Sequence, residues 1–273
     1  MPQEQGADEP GVAGPLEEAG EPVPSAAAEI FGSALADAER YSRLLVGPAV
    51  EQGIIGPAEA ERIWDRHLLN CAAIARMVPA RAAVADVGSG AGLPGIVLAL
   101  LLPGARVTLI EAMARRVAFL ERTVEDLGLQ NAEVVRARAE DLAGHLAADV
   151  VTARAVAPLD KLAGLCAGLA RPGGKVLAIK GASAEAELAL ARPALARLGV
   201  TDAKVIEAAG ADGAAAATVV VFTAPGDRRA GADHGRGGLR PKGKGGNRPG
   251  GQLRTYGPAA GRMTRPNSRR GGG

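Results

Sequence analysis

Between Ala83 and Gly95 the chain reads Ala-Val-Ala-Asp-Val-Gly-Ser-Gly-Ala-Gly-Leu-Pro-Gly, an apolar run with an acid in it that breaks into three alternate glycines. No other stretch limits the possible folds as tightly. Val84 and Val87 belong to a short buried strand, and Pro94 precedes the apolar Ile96, Val97, Leu98, Leu100, Leu101 and Leu102 of a helix. Glycines between the two let the backbone take positive φ and let a ligand approach main-chain N–H groups that a Cβ would shield.

The details of the turn decide which ligand. A dinucleotide site wants a third glycine where this chain has Leu93. Asp86, two residues before the first glycine, would repel a pyrophosphate but attract the ammonium and sulfonium charges of S-adenosylmethionine. The next strand adds to this. Val107, Leu109 and Ile110 lead to Glu111, about 20 residues beyond the glycines, where an acid can accept both hydroxyls of an adenosine ribose.

Around this core, residues 1 to 24 carry six acids and no Lys or Arg, are rich in Pro and Gly, and are expected to be disordered. A helix is expected from Ala27 through Phe31, Leu35, Ala38 and Leu45, closed by Gly47-Pro48. A second opens at Pro57 and carries Ile63, Trp64, His67, Leu68, Cys71 and Ile74. Together, residues 25 to 80 form a helical cap at one end of a sheet. After Glu111, Met113, Val117, Leu120, Val124 and Leu127 define an amphipathic helix that stops at Gly128.

Strands are expected at 133–136, 149–152, 175–180, near Val205 and at 218–222, with helices at 158–169 and 183–198, the last kinked by Pro193. Strands alternating with helices give a parallel α/β sheet over residues 81 to 224, and the helix-free final pair gives an antiparallel edge. From 225 to 273 there are twelve Lys or Arg against Asp227 and Asp233. That basic, Gly-rich tail is read as disordered. It is either a flexible polycation for phosphate backbones or a solubilising appendage.

Cys71 and Cys166 lack any C-x-x-C or His partner spacing, so neither a disulfide framework nor a zinc site is expected. The N-terminus has no signal-like basic and apolar regions, and the apolar run from Ile96 to Leu102 is too short for a bilayer. A cytoplasmic protein without a membrane segment or metal follows as the expectation.

Several blocks now share one pattern: Arg66-His67-Leu68-Leu69-Asn70, Asp86 through Ile96, Arg115-Arg116-Val117-Ala118-Phe119-Leu120, Arg138-Ala139-Glu140, Thr152-Ala153-Arg154-Ala155 and Ala178-Ile179-Lys180-Gly181. In their order, and above all in Gly-Leu-Pro-Gly after the glycine turn, they resemble the RsmG family (glucose-inhibited division protein B) of bacterial 16S ribosomal RNA guanine-N7 methyltransferases. The resemblance covers roughly residues 29 to 223 and departs at Asn70, where the family often has Asp, and in the long basic tail.

It implies a Rossmann-like class I S-adenosylmethionine-dependent methyltransferase, with a seven-stranded, mostly parallel sheet, helices on both faces and an N-terminal helical extension. It also implies methylation of N7 of guanine 527, in standard rRNA numbering, of 16S ribosomal RNA in the small subunit or an assembly intermediate; a monomer is expected. Gly88, Leu93, Ala139, Glu140 and Arg154 map to cofactor-binding positions, to which the reading of the residues adds Asp86, Gly90 and Glu111.

Guanine N7 carries a free lone pair, so catalysis asks for alignment and suitable electrostatics and not for a general base. Arg154 and Lys180, at strand ends facing the cleft, are the candidate catalytic cations; Arg66, His67, Arg138 and Lys180 are candidate RNA contacts. Two other readings stay open: a small-molecule methyltransferase, which would need an enclosing apolar or aromatic lid, and a non-catalytic RNA-binding assembly protein on the same fold.

Overall fold

A computed structural model of the chain describes residues 21–154, 157–210 and 217–226. Residues 227–273, which hold all but the first two residues of the basic tail read from the sequence, lie outside the described residues.

Seven strands, β1 (Ala83–Val87), β2 (Arg106–Glu111), β3 (Ala132–Arg136), β4 (Ala148–Arg154), β5 (Ala170–Lys180), β6 (Lys204–Ala208) and β7 (Ala217–Thr223), form one sheet in the order 3-2-1-4-5-7-6. β1 pairs in parallel with both β2 and β4, and β7 runs antiparallel between β5 and β6. The antiparallel strand is therefore inside the sheet, and β6 is the edge.

Helices α1 (Ser25–Phe31), α2 (Leu35–Leu44), α3 (Pro57–Ala60) and α4 (Asn70–Ala72) precede β1. They are followed by α5 (Gly95–Leu101), α6 (Ala114–Asp126), α7 (Ala139–Leu142), α8 (Leu159–Leu169) and α9 (Ala184–Arg197). Strand residues alternate between two cores. Val84, Val107, Leu109, Val150 and Val219 join α5, α6 and the N-terminal helices on one face. Ala85, Val87, Val151, Ala153 and Phe222 meet α8 and α9 on the other. Burial on both faces is why the central strands read as continuous apolar runs.

The helix α5 is apolar nearly all round because it lies between the sheet and the N-terminal helices, so Gly95 through Leu100 are all buried. The N-terminal helices thus cover a face of the sheet, by way of α5, and not only its end. Gly47-Pro48 does not close the first helical segment. The chain passes through a π-helical turn, Leu45–Ala49, that contains Pro48, and ends at Gly53 with φ 59°. The wider turn accommodates a residue with no N–H to donate. A second π-helical stretch, Ile63–Leu69, carries Trp64 and His67. Trp64 packs edge-on against Phe31 at 6.1 Å, and its main-chain N–H is accepted by Glu21 at 2.7 Å. Glu21 belongs to the segment expected to be disordered, of which residues 1–20 lie outside the described residues. Pro193 lies inside α9, which runs from Ala184 to Arg197.

Candidate active site

The glycine turn emerges at the carboxyl end of β1, where β2 departs on one side and β4 on the other. In open α/β sheets, that divergence opens a crevice. Gly88, Gly90 and Gly92 have φ of 65°, 61° and 103°, and the turn closes on itself through Gly92 N–H to Ser89 O at 2.7 Å. Tyr41, fully buried on α2, donates its hydroxyl to Ala91 O at 2.8 Å and so ties the N-terminal helices to the turn. At the start of α5, a Cβ on Gly95 would stand 2.2 Å from Leu109 Cδ2 and 2.7 Å from Asp86 Oδ2.

Asp86 is where expectation and structure part. Its carboxylate is fully buried beneath the turn, accepting Gly95 N–H and the Thr152 hydroxyl, each at 3.1 Å. Burial pushes its pKa up to about 6 against the opposing pull of these hydrogen bonds. The side chain does not line the crevice and cannot meet an ammonium from there. Its strand position directs it inward, where it joins β1, β4 and the start of α5.

Glu111 does line the crevice. One carboxylate oxygen accepts Met113 N–H at 2.9 Å and the other Gly90 N–H at 3.1 Å, with Arg116 Nη1 at 3.8 Å from the latter. The acid at the end of β2 therefore also shapes the glycine turn. The crevice, about 580 Å³, is lined by Gly88, Gly90, Leu93, Glu111, Arg138, Ala139, Glu140 and Arg154, together with Glu59 and His67. Its size suits a nucleoside-sized ligand.

Arg154, at the end of β4, is held by the N-terminal segment. Its guanidinium donates to Cys71 Sγ and to Arg66 O, each at 3.3 Å, and to His67 Nδ1 at 2.5 Å. His67 is 3% exposed, so its ring is a support for Arg154 and not the open RNA contact expected. Burial first, and the Arg154 charge second, lower its pKa to about 4, and the imidazole is neutral at pH 7. With Nδ1 accepting, the proton resides on Nε2, which faces Glu59 Oε2 at 3.1 Å, within ion-pair range but off the line of a hydrogen bond.

A second cavity of about 680 Å³ opens on the far side of Arg154, lined by Glu59, Arg66, Asn70, Arg154, Lys180 and Glu187 among others. Arg154 and Glu59 border both spaces. Of the residues expected at the site, Arg66 and Lys180 lie here, Arg154 lies at the junction, and Asp86 alone lies underneath. Sequence reasoning did not find Glu59, Glu187 or the part played by Tyr41. Glu59 and Glu187 look like ordinary solvated acids on helices, and only the rarity of aromatics in this chain singles out Tyr41.

A seven-stranded sheet in this order, with its reversed strand between the fifth and sixth and a glycine turn at the point where the strand order changes direction, between β1 and β4, defines a class I methyltransferase. S-adenosylmethionine is its methyl donor. The family model for rRNA small subunit methyltransferase G matches residues 34–213. The chain is 54% identical over 187 residues to the ribosomal RNA small subunit methyltransferase G of Mycolicibacterium gilvum, covering 67% of this chain and 82% of that one. To the protein of the same name from Thermobifida fusca it is 52% identical over 202 residues, 74% of this chain and 85% of the other. A solved S-adenosylmethionine-dependent O-methyltransferase from Thermotoga maritima is similar at 15% identity and a TM-score of 0.47, over 58% of this chain and 65% of the other. The chain belongs to the rRNA small subunit methyltransferase G family and is a ribosomal RNA methyltransferase.

Proposed function

We propose that this enzyme methylates N7 of a guanine in 16S ribosomal RNA, guanine 527 in standard numbering, within the small subunit or an assembly intermediate. The observation that carries this reading is the wall shared by the two spaces: Arg154 and Glu59 border both the crevice and the second cavity. A base in one and a methyl donor in the other would meet at that wall.

The crevice fits the donor. Gly88 and Gly90, at positive φ, allow close main-chain approach, and the carboxylates of Glu59, Glu111 and Glu140 suit a ligand bearing ammonium, sulfonium and ribose hydroxyls. Leu93 supplies an apolar contact, Ala139 and Glu140 open α7 beyond β3 where the adenine belongs, and Arg138 precedes them. Asp86 acts from below by fixing Gly95 and Thr152. S-adenosylmethionine supplies a methyl on a sulfonium; its transfer to a ring nitrogen leaves a neutral thioether and moves positive charge onto the purine.

The chain's residues have no proton to remove in such a reaction. His67, the one histidine among the described residues at the site, is neutral and has its Nδ1 occupied by Arg154, which suits holding and not base catalysis. Arg154 and Lys180 are the cations placed to align the base by its O6 side, and the exposed Arg66 and Arg138 face outward where phosphates would pass. Among the described residues, neither lining includes a Phe, Tyr or Trp of the kind that would enclose a small-molecule substrate.

The test is transfer of a radiolabelled methyl group to small subunits, followed by borohydride and aniline cleavage, which breaks the chain at N7-methylguanine. Cleavage at a single guanine is expected. Labelled RNA that resists cleavage, or no labelling of naked RNA, precursors or mature subunits, would overturn the reading.

A further inference from the structure

The second cavity contains an ion pair that the cofactor crevice does not use. Lys180 Nζ, on a side chain 7% exposed at the end of β5, lies 2.9 Å from Glu187 Oε2 on the first turn of α9. Lys180 also donates to Ala157 O at 2.9 Å, the other Glu187 oxygen accepts from Ser183 Oγ at 3.0 Å, and the carboxylate takes a further bond from the Leu159 main-chain N–H. An ammonium has three donors and a carboxylate about four acceptor directions, so each group keeps capacity after these bonds. The Lys180 hydrogen bond holds the Glu187 carboxyl below the usual range, keeping it ionised at neutral pH. A spare donor and a spare acceptor therefore stand side by side in the cavity wall.

Guanine presents the complement on one edge, O6 as acceptor next to N1–H as donor. Adenine reverses the order, with its 6-amino donor next to the N1 acceptor, and would set donor against donor and acceptor against acceptor. We propose that Lys180 and Glu187 are the specificity-determining pair for the target base, Lys180 donating to O6 and Glu187 accepting N1–H of a flipped guanine. This rests on the guanine-N7 reading above. The base geometry agrees with it, because N7 flanks O6 on the side opposite N1. A purine held at O6 and N1 by this pair turns N7 away from Glu187. Arg154 stands one strand over from Lys180, in register with the neighbouring Ile179, and borders the cofactor crevice.

Sites built on such pairing reject the mismatched base strongly, because their own polar groups are left unpaired. The experiment compares small subunits with guanine or adenine at the target position, using radiolabelled methyl transfer for rate and calorimetry for S-adenosylmethionine affinity. For Glu187→Gln, kcat/KM on guanine should fall at least tenfold, the preference for guanine over adenine should shrink, and donor affinity should stay within twofold. Unchanged kcat/KM, or a loss traced wholly to donor affinity, overturns the pairing.

The exchanged variant Lys180→Glu with Glu187→Lys separates recognition from a purely structural ion pair. A structural role predicts recovery of both Tm and guanine methylation. Base reading predicts that guanine methylation stays at least tenfold down, since the donor and acceptor have changed places. Should the exchanged protein fail to fold, Glu187→Gln alone decides. Wild-type subunits cleaved at no N7-methylguanine point to failure of the underlying reading, whereas normal wild-type cleavage with unaffected variants points to failure of the pair alone.

Discussion

His67 Nδ1 accepts a hydrogen bond from Arg154 Nη2 at 2.5 Å, which joins the π-helical turn before β1 to the carboxyl end of β4. The contact spans 87 residues of sequence and fixes the one arginine that, among the described residues, borders both cavities. Arg154→Ala should therefore reduce methyl transfer by at least 100-fold while far-ultraviolet circular dichroism stays native. His67→Gln should lower kcat by about tenfold, consistent with loss of a charge-assisted hydrogen bond. Full activity in the arginine variant would remove it from the site.

Tyr41→Phe deletes the hydroxyl bonded to Ala91 O and leaves a buried carbonyl unpaired. A cost of about 1–3 kcal/mol in urea unfolding is expected. Because Ala91 belongs to the glycine turn, donor affinity measured by calorimetry should weaken with it. Loss of stability with no change in affinity would separate the turn from the N-terminal helices.

Gly95→Ala places a methyl 2.2 Å from Leu109 Cδ2 and 2.7 Å from Asp86 Oδ2. Overpacking of this kind costs about 1–3 kcal/mol, and here it also forces Asp86 away from the Gly95 N–H. The variant should melt lower than wild type and bind the donor more weakly. Gly128→Ala, at positive φ but with open space around it, is the control: destabilised by backbone strain, with donor binding intact.

Two buried titrations oppose each other below neutrality. His67 has a folded pKa of about 4, below its unfolded value, so its contribution is present above about pH 6.5 and is lost as pH falls through 4. Asp86 has a folded pKa of about 6, above its unfolded value, so its contribution is largest at low pH and declines as pH rises through 6. Relative to wild type, His67→Gln should be less acid-sensitive and Asp86→Asn more so between pH 4 and 6. Parallel Tm curves for all three proteins would contradict both assignments.

Removing the residues after Pro225 deletes twelve cationic side chains. Binding to small subunits should weaken, the slope of log affinity against log salt should flatten, and donor affinity should hold. Equal slopes with and without the tail would leave it a passive appendage.

Much of this arrangement was legible in the sequence because it lies in local pattern. The glycine turn, Glu111 at the end of β2 and the amphipathic helix before Gly128 depend on neighbours within one or two turns, and all three stand where the pattern put them, save that Met113 is an exposed N-cap and not the first residue of the buried stripe. Two other features depend on distant partners. The fate of Asp86 is set by Thr152, 66 residues away, and a carboxylate at that spacing reads the same whether it faces a ligand or a helix start. His67 is a candidate RNA contact by the family pattern, and only its burial and its tie to Arg154 show it as a support. The π-helical turn at Pro48 was missed for a different reason, since a Gly-Pro pair marks a helix end by propensity and only the surrounding packing keeps the chain coiling.

The boundary that Glu59 and Arg154 form between the crevice and the second cavity has a thermodynamic corollary. On the proposed reading, with the base in one space and the methyl donor in the other, both bear on the same two side chains, and their binding is expected to be coupled. Whatever factor one exerts on the other's dissociation constant must be returned in full, and the demethylated thioether product, chemically inert, lets that reciprocity be measured at equilibrium without turnover.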